Sequence, residues 1–431
     1  MMKTSTTDKK PAAFQPAHIT KKVLANGLTL LVCERHNTHT VSIELSLLAG
    51  SRYETDPEAG LASLTGRLLT EGTTSRSADE IALAIESMGG SLDSGSGTEG
   101  AVISASALSR DIDLGLELCA DVLLSPAFRE DRVVHEREKT ISEIRSARDR
   151  PRTVLDWRFN ELIYPLHPLH RPSIGYEEEV AKIDRDRIVE FHRRFFVPGN
   201  CFVSIVGDFE GEEIIPKLEN LFGTWSGPPP RFPEIPVVEL QAGPLEEFQE
   251  MDKEQANIYV GHLGIQRSNP DYYALNVLDV ILGSAPGFTS RIPKRLRDEQ
   301  GLAYSTFANI TQSSGLDPGR FVAYIGTSPE NRQRAIDGIF REIRSIVEQP
   351  VTADELLEAK QYLTGSFVFQ FQTNSQIAHF MVLAERYGLG FSYVDQYPEL
   401  INAVSTDDIA RVAKTYLHPE AATVVVVGPK R

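Results

Sequence analysis

The strongest constraint on this chain is that its closing segment is written twice. Ile183-Asp-Arg-Asp-Arg-Ile188, Phe195-Phe-Val-Pro198 and the run Phe202 to Val206 closing on Gly207 recur as Val404-Ser-Thr-Asp-Asp-Ile409, Tyr416-Leu-His-Pro419 and Thr423 to Val427 closing on Gly428. The landmarks are each 221 positions apart (404 less 183, 419 less 198, 428 less 207), so the two copies align without a gap. Each copy predicts a helix, a proline-marked turn and a β-branched strand ended by glycine. A weaker match opens the halves, where Val41-Ser-Ile-Glu-Leu45 parallels Ala256-Asn-Ile-Tyr-Val260 and a helix follows Asp56-Pro57 or Pro270-Asp271. A chain built this way is a duplicated unit rather than one large core.

The 431 residues suit two domains, since single cores stop growing at about 250–300 residues. Between the copies, Gly223-Thr-Trp-Ser-Gly-Pro-Pro-Pro230 runs into Phe232-Pro233 and Pro236, the composition of a semi-rigid linker. The expected order is a polar extension over residues 1–20, a first domain over 21–222, a linker over 223–244 and a second domain over 245–431. Asn26-Gly27 between Val23-Leu24 and Leu28 to Val32 predicts a hairpin turn. Ser77 and Glu80 form a capping box, Ile81, Ile85 and Met88 give that helix an apolar face, and Gly89 ends it. A second amphipathic helix runs from Asp111 to Leu124, before Pro126. Strands and helices alternate irregularly and include hairpins, which points to an α+β fold rather than a doubly wound sheet.

Several function classes are disfavoured. A net charge of −16 argues against sequence-independent nucleic-acid binding. No apolar run approaches the roughly 18 residues of a membrane span. Met1 to Pro16 has no apolar stretch behind Lys9 and Lys10, so no secretory signal is visible; the expected compartment is cytoplasmic, or periplasmic if a leader has been removed. Cys33, Cys119 and Cys201 stand apart in apolar contexts and read as buried thiols. The Phe-rich run Ser366 to Gln372 reads as a packing face. His167 and His170 lie in a Pro-rich loop with no ligand-spaced partner in sequence, and read as structural.

Residues Gly60 to Thr73 place Leu61, Leu64 and Leu68 on one helical face. Here the chain resembles the inverted zinc peptidases of the pitrilysin/insulinase type (family M16), which carry His-x-x-Glu-His on this helix. The frame is intact: Gly60-Leu-Ala before the motif, Gly72-Thr after it, Ala49-Gly-Ser-Arg-Tyr-Glu54 upstream and Gly89-Gly-Ser-Leu92 downstream. The resemblance covers roughly Lys22 to Pro429. It implies two similar domains, each a mainly antiparallel sheet packed with helices, and pairing of two chains around a chamber that admits peptides or unfolded segments.

At the motif itself, Ser63 replaces the first His, Gly66 the Glu base and Arg67 the second His. Two imidazoles at i and i+4 share a helix face and can hold one Zn²⁺ while the i+3 carboxylate activates its water. A hydroxyl is a poor zinc ligand, glycine offers no base, and a guanidinium has no lone pair and repels the cation. The resemblance puts the third ligand at Glu143, and a further family carboxylate at Glu136. Arg67 is expected to pair with one of the two, so no metal is expected in this chain.

Arg297-Asp-Glu-Gln-Gly-Leu-Ala-Tyr304 resembles the family's other active-site element, an Arg and a Tyr seven residues apart. In the family that pair faces the zinc and steadies substrate oxygens, which is sensible where negative charge develops. Leu282-Gly-Ser-Ala-Pro-Gly-Phe-Thr-Ser-Arg291, with Gly283 and Gly287, matches a family loop near the substrate path and lacks the Lys-Ser/Thr ending of a P-loop. The resemblance therefore implies an M16B-type non-catalytic subunit. It would form a heterodimer with a zinc-bearing homologue, zinc being the partner's cofactor, and lend it Arg297 and Tyr304 for peptide cleavage. A purely structural scaffold subunit and a stand-alone peptide-binding homodimer are the alternatives.

Overall fold

A computed structural model describes residues 19–285 and 290–430. The first half contains β1 (Ile19–Val23), β2 (Thr29–Glu34), β3 (Thr40–Leu47), α1 (Leu61–Leu68), α2 (Ala78–Ser87), β4 (Ser91–Ser96), β5 (Ala101–Leu108), α3 (Ile112–Leu124), α4 (Glu130–Arg148), α5 (Pro151–Ile163), α6 (Glu177–Val180), α7 (Arg185–Phe195), β6 (Cys201–Gly207) and α8 (Gly211–Phe222). Residues 223–244 carry no helix or strand. The second half contains β7 (Leu245–Glu250), β8 (Ala256–Leu263), α9 (Tyr272–Asp279), β9 (Ser305–Asn309), β10 (Arg320–Thr327), α10 (Arg332–Glu348), α11 (Ala353–Phe367), α12 (Asn374–Arg386), α13 (Tyr393–Ala403), α14 (Thr406–Tyr416) and β11 (Thr423–Gly428).

The two sheets share one topology. Their strand orders are β1-β2-β6-β3-β5-β4 and β7-β11-β8-β10-β9. In each sheet the last strand of its half, β6 or β11, is inserted inside the sheet and lies antiparallel to β3 or β8. The first sheet differs by an added edge strand, β1, supplied by the hairpin whose turn holds Gly27 at φ +91°, a backbone angle that glycine adopts without steric cost. Both sheets depart from pure antiparallel pairing in the same place. Thr29 to Glu34 runs parallel to Phe202 to Gly207, and Leu245 to Glu250 runs parallel to Thr423 to Gly428. The repeated landmarks become α7 and α14, a short turn at Pro198 or Pro419, and then β6 or β11.

One helix from each half packs on the other half's sheet. Helix α5 lies on β8 and β11, and α12 lies on β3 and β6. Leu155, Phe159 and Ile163 of α5 form a buried cluster with Tyr259, Val322, Tyr324, Val425 and Val427. The opposite face of the first sheet is covered by its own helices, with Leu30, Ile43 and Leu45 against Leu64, Phe191 and Phe195. Each such side chain, moved from water into the core, stabilises by about 1.5–3 kcal/mol.

Two sequence expectations are adjusted. Ile19 and Thr20 belong to β1 rather than to the polar extension, whose residues 1–18 lie outside the described part. In the Phe-rich run, Phe367 and Phe371 are buried but Val368 and Phe369 are exposed, because the chain tightens from α11 into a 3-10 turn there. Cys33, Cys119 and Cys201 are buried free thiols.

Candidate functional site

The start of α1 is fixed from outside the helix. Gly60 sits at φ +96°, where a Cβ would meet Val180 Cγ2 at 2.7 Å and the Ile174 carbonyl at 2.8 Å. Gly60 contributes no side chain to satisfy the first amides. Glu54 does so instead, accepting from Gly60 N at 3.2 Å and Ala62 N at 2.6 Å. Burial pushes its carboxyl up to about 8, against the two amides and the nearby Arg171 charge. The landmark around Glu54 is therefore the cap that aims the helix.

The positions expected to be degenerate fall together. Ser63 is buried on α1, and Arg67, one turn on, reaches α4. Arg67 Nη2 lies 2.8 Å from Glu143 Oε2, with the side chains 29% and 39% exposed. The hydrogen bond from Arg67 holds the Glu143 carboxyl below its usual range. Arg67 thus pairs with Glu143. Glu136 is buried; its Oε1 accepts from Lys139 at 2.9 Å, while Oε2, like the hydroxyl of Thr140, has no hydrogen-bond partner among the described residues.

Gly66 decides the zinc question physically. A Cβ there would lie 2.6 Å from the Gly95 carbonyl carbon and the Ser96 nitrogen of β4. Real side chains do not approach backbone so closely, so β4 occupies the space that a glutamate base needs. Ser94 Oγ donates to the Gly66 carbonyl at 2.8 Å and lies 3.2 Å from Thr70 Oγ1, fastening β4 to the helix. Among the described residues, no group of three His, Cys, Asp or Glu side chains is arranged to hold a metal ion. The residues present do not fit zinc. The sequence signal for this contact, missed by motif reading, is the small-residue run Ser94-Gly-Ser96 facing Gly66, the composition needed where two backbones touch.

Arg297 lies in the last turn of a π-helical segment, Pro293–Glu299. Gly301 at φ +62° reverses the chain, and Leu302 N donates to the Leu296 carbonyl at 2.9 Å. Thr327 Oγ1 donates to the Leu302 carbonyl at 2.6 Å. From this braced turn Tyr304 projects with 91% of its surface exposed. Arg297 Nε donates to Asp298 at 2.9 Å. Gly283 is buried where a Cβ would lie 2.3 Å from Ala308 N, so it lets a second π-helical turn, Val280–Ser284, press on β9. Gly287 lies outside the described residues. A cleft of about 650 Å³ between Arg295, Phe340, Arg341 and Arg344 involves neither α1 nor Tyr304.

His167 and His170 have structural partners that sequence proximity did not reveal. His167 Nδ1 accepts from Leu169 N at 3.1 Å, and its Nε2 lies 3.5 Å from Asp317 of the other half. His170 Nε2 lies 3.7 Å from Asp56. Among the described residues, no helix is long and apolar enough to cross a membrane.

Comparison with known proteins bears on the family and the fold. A model of the insulinase-type peptidase family M16 matches residues 30–176, and one described as the peptidase M16 inactive domain matches residues 182–363. An uncharacterized zinc protease of Rickettsia bellii (strain RML369-C) is 27% identical over 94% of this chain and 96% of its own length. One from Mycobacterium leprae (strain TN) is 27% identical over 97% and 93%. Among solved structures, the peptidase M16 inactive domain from Pseudomonas fluorescens matches with a TM-score of 0.88 at 22% identity, covering 95% of this chain and 98% of that one. A protease from Helicobacter pylori matches with a TM-score of 0.87 at 21% identity, covering 95% and 99%. The fold is that of these peptidases, and the chain belongs to the peptidase M16 family.

Proposed function

We propose that this chain is the non-catalytic, substrate-binding subunit of a two-chain M16 peptidase, contributing Arg297 and Tyr304 to a zinc site carried by a partner of the same family. The observation that carries this reading is a contrast within one molecule. At α1 the space for the base is filled by β4 and the ligand position is a cation, whereas Tyr304 is 91% exposed on a turn braced by Leu302 and Thr327. A tyrosine held out on a rigid support has its hydroxyl available to another molecule. There it can donate to an oxygen that gains charge during amide attack, while Arg297 binds peptide oxygens.

The test pairs the purified chain with an M16 homologue that has an intact His-x-x-Glu-His. The isolated chain is expected to hold no stoichiometric zinc at α1 and to cleave no peptide. In the pair, Tyr304→Phe is expected to lower kcat by about 10²-fold, and Arg297→Ala chiefly to raise KM, with assembly unchanged by size-exclusion chromatography. Full activity of both variants would sink this reading in favour of a scaffold. So would chelator-sensitive cleavage by the chain alone.

A further inference from the structure

We infer that the erased metal site is a carboxylate-receiving site, in which the Arg67 guanidinium holds the positive charge that zinc supplies elsewhere in the family. The inference rests on the peptide-binding reading above and assigns a ligand chemistry to α1. Zinc is excluded here, but positive charge is not lost: Arg67 stands at a ligand position and is permanently protonated. Among the described residues, its ion-pair partner is Glu143, through Nη2 at 2.8 Å. A guanidinium has five N–H donors, so one such contact leaves capacity for a planar, two-oxygen acceptor.

Access is compatible with a ligand. The Arg67 and Glu143 side chains are 29% and 39% exposed, sheltered yet reachable. Ser63 and Gly66 are buried behind them on the same helix. Beside the helix runs β4, the last strand of its sheet, fixed against α1 through Gly66 and Ser94. An extended segment meeting that edge is brought alongside α1, where its carboxylate can share the guanidinium. Glu143 gives the site its selectivity in two ways. It holds Arg67 in place without a ligand, and it competes with the incoming anion, so an acceptor that makes only one weak contact does not displace it. Both a free peptide C-terminus and an Asp or Glu side chain carry the required group.

The experiment uses the full chain and one fluorescent peptide in three forms: free C-terminal acid, C-terminal amide, and free acid with its internal Asp and Glu changed to Asn and Gln. Fluorescence polarisation at low salt is expected to show the free acid binding about tenfold more tightly than the amide, the scale of one charge-assisted contact. That gap is expected to vanish in Arg67→Ala and to widen in Glu143→Gln, where the competing carboxylate is gone. If affinity instead follows the internal acids, and still depends on Arg67, the ligand is a side-chain carboxylate. Equal affinity of acid and amide with no dependence on internal acids overturns the inference, as does a gap that survives Arg67→Ala. Glu143→Gln preserves the shape of a partly exposed residue, so failure of the gap to widen there counts against the inference even if Arg67→Ala misfolds. Arg297 and Tyr304 variants are expected to leave the gap intact, so this inference and the trans-site reading fail separately.

Discussion

Helices α5 and α12 occupy corresponding places in the repeat, each lying on the other half's sheet, but they meet their hosts by different chemistry. Under α5 the contact is aromatic and aliphatic: Phe159 meets Tyr259 edge-on at 5.4 Å, and Gly261 approaches the Phe159 ring. Charged contacts border it, where Arg320 pairs with Asp156 and donates to Asn160 and Arg158 lies 3.6 Å from Glu247. Under α12 the sheet presents Ser42, Glu44, Ser46 and Ser204. Leu31, Cys33 and Val206 on the same face pack with Ile377, Ala378 and Met381, and among them Ser204 Oγ donates to the Ala378 carbonyl at 3.0 Å, His379 pairs with Glu44 at 3.1 Å and Arg386 donates to Ser46 at 2.5 Å. The seam continues through Glu99, which accepts from Tyr387 at 2.8 Å and from Leu316 N at 2.6 Å, to the Arg52–Asp317–His167 cluster. Apolar burial is non-directional and supplies stability. Hydrogen-bonded ions have preferred geometry, so the α12 seam fixes how the halves are oriented.

The contrast can be broken first where it is strongest. Phe159→Ala is expected to cost about 3–5 kcal/mol, because a fully buried ring leaves a cavity; a loss under about 1 kcal/mol in urea unfolding would show that this seam is not a core. Asp317→Asn comes next, at about 2 kcal/mol near neutral pH. Burial raises the Asp317 carboxyl, but hydrogen bonds from Arg52 and His167 outweigh it and hold it at about 2, below the ordinary 3.8. Its contribution is therefore complete above 3.8 and is lost as pH falls through about 2. The gap in stability between wild type and variant should therefore close across that window, as read by acid titration of the two unfolding midpoints. The smallest effect belongs to His379→Ala, under about 1 kcal/mol for a half-exposed pair. The hydrogen bond to Glu44 raises the His379 value above 6.5, against partial burial. That contribution is present below 6.5 and disappears as pH rises through the raised folded value, so wild type and variant should converge at alkaline pH. A persistent gap there would assign His379 a packing role instead.

Much of this architecture could be read before the fold was known, because it is written in local patterns. The 221-residue repeat, the capping box at Ser77 and the Asn26-Gly27 turn each depend on neighbours in sequence. The departure from the family's motif was legible for the same reason, since Ser63, Gly66 and Arg67 share one helix. What escaped depends on contacts between distant segments. The choice of Glu143 over Glu136 is set by how α4 crosses α1, and Asp317 reaches His167 only across the two halves. The exchange of α5 and α12 has no local signature either. A helix carries an apolar stripe whichever sheet it covers, and α5, with Arg152, Asp156 and Arg158 among its apolar residues, has only a weak one. The parallel pairs β2–β6 and β7–β11 were hidden because strand direction is decided by the return path of the chain.

The exchange of helices also sets a timetable for synthesis. The first sheet is complete once β6 ends at Gly207, but its α12 cover begins at Asn374, 167 residues later (374 less 207). At about 5–20 residues per second, that face waits roughly 10–30 s on the ribosome. Nascent sheets with apolar faces invite aggregation during such a pause. Ser42, Glu44, Ser46 and Ser204 on the waiting face have side chains that water can satisfy until the helix arrives. These polar groups interrupt the apolar patch of Leu31, Cys33 and Val206 that the growing chain leaves uncovered until α12 is made.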